Sequence, residues 1–209
     1  MMGIAPIGSG PIAALYSSAP AGGPNVWISG GSEVYSIDSN WSALHKPAAT
    51  ENALWNGSSV VNCTLDENTA ALGNMDWEAA YTGTFDAATY DIDCVDFTAA
   101  CTAWDAGSGS HAVGGNFKNN LTGTFTVGTA DWTFTGASKV LWLKYAVASL
   151  YDATIAAGAS YAVSRDGTTT GWHYTTISNN LVVDGSLDIA SFSTNGLRVG
   201  NDVQVPSTG

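Results

Sequence analysis

The sequence predicts an all-β protein: a β-sandwich or jelly-roll-like domain, or a short β-solenoid, carrying an extended N-terminal arm. Three observations point there. Apolar residues recur in short runs with period two, as strands with one buried face require. Gly is abundant, at 24 of 209 residues, and Gly-bearing turn dipeptides punctuate those runs. Four of the six prolines (Pro6, Pro11, Pro20 and Pro24) crowd the start, where they forbid a helix.

Residues 1–30 read as that arm. Gly3, Gly8, Gly10, Gly22 and Gly23 stand among the prolines, so an extended chain is expected. The arm also bears apolar side chains: Ile4, Ile7, Ile12, Leu15, Tyr16 and Trp27. Such residues need a surface to lie on, and they are the expected interface set.

Residues 31–135 read as a β-rich domain. Glu33 to Asp38 alternates polar and apolar, and Val60 to Leu65 reads as a strand. Ser42 to Trp55 has a hint of helix cut by Pro47, and Ala-rich Thr69 to Ala80 suits a short helix weakened by Gly73. Thr82-Gly-Thr-Phe85 returns as Thr122-Gly-Thr-Phe125, an echo 40 residues on that suggests paired units. Thr124 to Val127, a Gly128 to Asp131 turn and Trp132 to Thr135 make the best hairpin signal.

Residues 136–209 read as a second β-rich part. Lys139 to Val147 is the longest apolar run and suits a core strand that continues as a short helix. Asp184-Gly185 and Asn195-Gly196 suit tight hairpin turns, because both dipeptides tolerate positive φ. In a stacked β-solenoid the same residues mark corners instead.

Composition narrows the function classes. Six Lys and Arg against eighteen Asp and Glu give a net charge of −12. That balance argues against direct nucleic-acid binding, which draws on basic side chains, and against docking to anionic membranes. No stretch approaches the roughly twenty apolar residues of a membrane span. The N-terminus has neither a basic n-region nor an unbroken hydrophobic one, so it is not read as a secretory signal.

Chemistry is sparse. His45, His111 and His173 form no HExxH or paired Cys/His metal pattern, and no G-x-S-x-G elbow is present. No phosphate-binding glycine loop occurs either. The chain is therefore expected to be no enzyme and to carry no cofactor. Cys63, Cys94 and Cys101 are an odd set, which leaves at least one thiol unpaired in a monomer; buried reduced thiols are the plainer reading and one disulfide, of unspecified pairing, is the alternative. Asp91, Asp93 and Asp96 are candidate cation ligands, since carboxylates suit calcium, although solvated strand carboxylates are the plainer reading. The eight Trp are spread almost evenly, which favours packing over one binding platform.

Two segments carry a resemblance. Gly3-Ile-Ala-Pro-Ile-Gly-Ser-Gly-Pro-Ile12 resembles the openings of tailed-bacteriophage virion proteins. Asn180-Leu-Val-Val-Asp-Gly-Ser-Leu-Asp-Ile189 resembles the β-repeats of phage fibres and head-attached proteins. The resemblance implies a decoration or cement protein on the outer surface of a phage capsid. Its partners would be the major capsid protein and further copies of itself, as a homotrimer, and its location the virion. The alternative is a trimeric tail-fibre or receptor- or carbohydrate-binding β module, since such modules also carry Trp and Tyr with Asn and Asp in β-loops.

Overall fold

A computed structural model describes residues 23–121, 123–143, 148–165, 174–189 and 196–205. Of the expected interface set, Ile4, Ile7, Ile12, Leu15 and Tyr16 lie outside the described residues. The described chain is all-β apart from one 3-10 turn, Asp38–Asn40. Its strands wind as a β-solenoid: after Asn25–Val26 come seven successive triplets, one strand of each triplet going to each side of the coil.

Sheet 1 is the longest stack. It runs through Asn25–Val26, Ala53–Trp55, Met75–Trp77, Phe97–Ala99, Phe117–Asn119, Lys139–Leu143, Ser160–Arg165 and Ser186–Asp188. Sheet 3 stacks Ala71–Leu72, Ile92–Cys94, Ser110–Val113, Asp131–Phe134, Asp152–Ile155, Leu181–Val183 and Val203–Gln204. Sheet 2 lies between them in two pieces. The first holds Cys63–Thr64, Thr84–Asp86, Ala103–Asp105 and Thr124–Thr126; the second holds Ala148–Leu150, Tyr174–Ile177 and Gly196–Val199.

Every strand pair is parallel, and each joins one turn of the coil to the next. That arrangement explains why the hairpin reading fails. Thr124–Thr126 and Asp131–Phe134 are both strands, but they belong to different sheets and never pair. Gly128, at φ 54°, turns a corner between them. The helical readings fail for the same reason. Ala53–Trp55, Ala71–Leu72 and Met75–Trp77 are strands, because neighbouring turns offer hydrogen bonds to two- and three-residue segments that could not stand alone. Leu181–Val183 and Ser186–Asp188 likewise flank a corner at Asp184 and Gly185, not a hairpin.

Sheets 1 and 3 pass through the boundary drawn at 135/136 without a break. Among the described residues, only sheet 2 divides there. The TGTF echo is a register fact: Phe85 pairs with Trp104 and Trp104 with Phe125, so the two copies sit two turns apart with Trp104 between.

Alternation along each strand turns one side inward. Ala53 and Trp55, Met75 and Trp77, Phe97 and Ala99, Leu141 and Leu143 are buried. Same-column rings stack at the strand spacing of about 4.8 Å. Trp55 and Trp77 lie 4.5 Å apart, Phe97 and Phe117 4.7 Å, Trp104 and Phe125 5.1 Å, all nearly parallel. Between columns the rings meet edge to face, as Phe97 does Trp104.

The two ends differ. Residues 27–51 close the first end: Trp27, Tyr35 and Trp41 are fully buried and pack edge to face. Trp27, expected at an interface, is thus in the core of its own chain. Its indole N–H donates to the Val61 carbonyl. At the other end Ile189, Val203 and Val205 are exposed, Val205 at 72%.

Candidate functional site

Outward positions of sheet 1 form a second column, set by the same register that builds the core. It reads Val26, Leu54, Asp76, Thr98, Lys118, Trp142, Ser164. Inward neighbours such as Trp77, Phe97, Phe117 and Leu141 lock these strands, so the outward side chains stand on a rigid base.

At the early end of this column an open groove of about 500 Å3 is lined by Pro24, Asn52, Leu54, Asp76, Glu78 and Thr98, among others. Burial raises the Asp76 carboxyl above its ordinary value; the Asp96 and Glu78 charges add to the effect, while the Thr98 hydroxyl, donating to it, opposes them. Asp76 thus offers a carboxyl whose proton is held more tightly than in water, beside the exposed Glu78.

At the later end stands Trp142, the large aromatic side chain that the fold leaves 37% exposed. The Lys118 ammonium lies over its ring, 4.9 Å from the centroid. Six other Trp (27, 41, 55, 77, 104 and 132) are buried in the core, and Trp172 lies outside the described residues. Even spacing of Trp therefore marks one or so per turn inside the coil, with Trp142 the outward exception.

A second cleft, of about 430 Å3, lies between the closing segment and the first rungs. There Lys46 is ion-paired with Glu67, and its backbone N–H donates to Asp38 at 2.9 Å. Lys46 and Glu67 are thus occupied in tying the closing segment down.

The three aspartates offered as cation ligands do not converge. Asp91 accepts the Ser110 N–H at 2.7 Å and the Asn68 amide at 3.1 Å. Asp93 points to solvent from the strand Ile92–Cys94. Asp96 sits at the corner leading into sheet 1, where it accepts the Asn116 N–H at 2.6 Å. Asn52 and Asn116 do the same for Asn74 and Val140, so Asp96 belongs to a corner ladder of side-chain acceptors. Among the described residues no group of three or more His, Cys, Asp or Glu could hold a metal ion.

The other titratable candidates are structural. His111 is buried against Trp132, with Nδ1 accepting the Ile92 N–H and Nε2 facing the Ala106 carbonyl at 2.9 Å. That pair of partners fits the neutral tautomer with its proton on Nε2, and burial lowers the ring's affinity for a second proton. His45 is exposed near Glu51, and His173 lies outside the described residues. All three cysteines are buried thiols that form no disulfide; burial pushes Cys101 up to about 12 and raises Cys63 and Cys94 as well. None is poised as a nucleophile.

Sequence reasoning missed the outward column. The signal was present as a period of about one turn: Ala53-Leu-Trp55, Met75-Asp-Trp77, Phe97-Thr-Ala99 and Phe117-Lys-Asn119 align at intervals of 22, 22 and 20 residues. No protein-family model, curated protein or solved structure matches this chain.

Proposed function

We propose that this chain is a receptor-binding β-solenoid of the tail-fibre kind, a non-catalytic module that holds a glycan along the outer face of sheet 1. The observation that carries the reading is Trp142, exposed on a sheet whose own register lines it up with Lys118, Thr98 and Asp76. The C–H face of a pyranose is apolar, and covering an exposed indole with it removes both surfaces from water. Asp76, Glu78 and Thr98 supply acceptors for sugar hydroxyls in the adjoining groove. A rigid sheet loses little conformational entropy on binding, which favours a modest contact area.

The capsid-cement reading rests on a different part of the molecule. It needs the arm, residues 1–30, to reach a neighbour, and residues 1–22 of that arm lie outside the described residues. The tail-fibre branch draws instead on the Asn180–Ile189 resemblance and on the column of sheet 1. Virion location and homotrimeric assembly belong to the proposal on that same resemblance.

The test is retention of the full chain on immobilised polysaccharides, neutral and acidic, with Trp142→Ala beside it. The proposal expects at least one polysaccharide to retain the protein and Trp142→Ala to lose about five- to thirtyfold in affinity, as stacking worth about 1–2 kcal/mol requires. Far-UV circular dichroism checks that the variant keeps its strands. Retention of the protein with equal strength by the variant, or by no polysaccharide at all, overturns the reading.

A further inference from the structure

We propose that the glycan bound on sheet 1 is an acidic one, with its carboxylate or sulfate on Lys118 and a sugar face on Trp142; this deepens, and rests on, the glycan-binding reading above. The argument is charge complementarity. The chain carries −12 and holds only six basic residues, so most of its surface repels an anion. Four of the six, Lys118, Lys139, Lys144 and Arg165, fall between positions 118 and 165. Of these, Lys118 stands in the outward column of sheet 1 beside Trp142, while Lys139 on the neighbouring strand is in register with the inward Tyr161.

Two further observations single out Lys118. Among the described residues the ion pairs are Lys46 with Glu67 and His45 with Glu51, and neither Lys118 nor Lys139 takes part in one. The Lys118 ammonium instead rests on the exposed ring of Trp142. A cation over an exposed ring is weakly held, so a carboxylate or sulfate can draw the ammonium away and free the indole face for the sugar. The acidic end of the column does not defeat this. Asp76 lies two rungs from Lys118 with Thr98 between, roughly 10 Å away at about 4.8 Å per rung, near one Debye length at physiological salt. The column thus sorts a ligand: its anion at Lys118, its hydroxyls toward Thr98 and Asp76.

The experiment uses the full chain and two sets of polymers. Alginate, polysialate and chondroitin sulfate are the acidic probes; a glucan, a mannan and a galactan are the neutral ones. At least one acidic polymer should bind, more weakly as salt rises from about 0.05 M to about 0.5 M. Lys118→Gln should lose about tenfold, as removal of a charge-assisted contact does, and Lys118→Arg should keep most of the affinity. Neutral polymers binding as tightly as acidic ones would overturn the acidic assignment while leaving glycan binding in place. Unchanged affinity in Lys118→Gln would also overturn it, by moving the anion site elsewhere. Binding by neither set would remove this inference and the reading beneath it together.

Discussion

The rungs from Ala53 to Phe134 and those from Lys139 to Gln204 share two continuous sheets but fill them differently. The first set packs rings: Trp55, Trp77, Phe85, Phe97, Trp104, Phe117, Phe125, Trp132 and Phe134 form stacked columns joined edge to face. The second set packs mostly branched aliphatic chains: Leu141, Leu143, Leu150, Ile155, Val163, Ile177 and Leu181. Tyr161 is the joint between them, its ring against Phe134 and its hydroxyl donating toward the Val113 and Gly115 carbonyls. The aromatic set carries a cost the other does not: the indole N–H groups of Trp77, Trp104 and Trp132 are buried with no acceptor among the described residues. Large rings gain enough buried area to outweigh that cost, since each buries on the order of 150–250 Å2. The aliphatic set ends in exposed Val203 and Val205, whereas the aromatic set is sealed by Trp27, Tyr35 and Trp41. Stability should therefore concentrate in the first set, and function on the outer face where the two meet.

The hardest blow to the comparison is a matched pair of core truncations. Trp104→Ala removes the ring shared by two stacked contacts and several edge contacts, and should cost about 3–5 kcal/mol in urea denaturation. Ile155→Val removes one buried methylene and should cost about 0.5–1.5 kcal/mol. Equal losses from the two would mean that the rings are not the main support.

The corners give a sharper contrast. Gly107 and Gly128 occupy the same corner one turn apart, both at positive φ. The Thr129 N–H donates to the Gly107 carbonyl at 2.8 Å, and a Cβ on Gly128 would strike that same carbonyl oxygen. Gly158, at φ 79° in the aliphatic set, has open space where a Cβ would go. Gly128→Ala should cost at least about 2 kcal/mol, from collision added to left-handed strain, and Gly158→Ala only about 1 kcal/mol, from strain alone. Thermal melts of the two variants separate stacking from backbone conformation.

The smallest effect expected is a pH term confined to the aromatic set. His111 is held neutral by burial, so its affinity for a proton is lower folded than unfolded. Its contribution to stability is complete above the ordinary histidine value near 6.5. It falls away as the pH drops from there through the lowered folded value. Denaturation midpoints of wild type and His111→Gln should draw together as the pH is lowered across that window. Parallel curves would place the acid sensitivity on another group.

The all-β class was legible because it depends on local pattern: period-two runs, frequent Gly and weak helix propensity. The short-solenoid alternative was legible too, but choosing it over hairpins was not. A strand of three residues carries the same alternation whether its partner is the next strand in sequence or the strand one turn away. The TGTF echo held the answer in part, since its 40-residue interval is two turns, but Trp104 breaks the motif in the turn between. Asp91, Asp93 and Asp96 look alike in sequence, yet one bridges rungs, one faces water and one belongs to a corner ladder.

The sequence alone determined the class of structure, the shortage of basic charge and the packing role of most tryptophans. These follow from composition and from spacing within a few residues. Only the tertiary structure decided that the coil is stacked in parallel, that Trp27 turns inward while Trp142 turns outward, and that Asp76, Thr98, Lys118 and Trp142 share one face. Those residues are 20 to 24 apart in sequence and one rung apart in space. Their neighbourhood is created by the pitch of the coil, a long-range hydrogen-bond register that no short window of sequence contains.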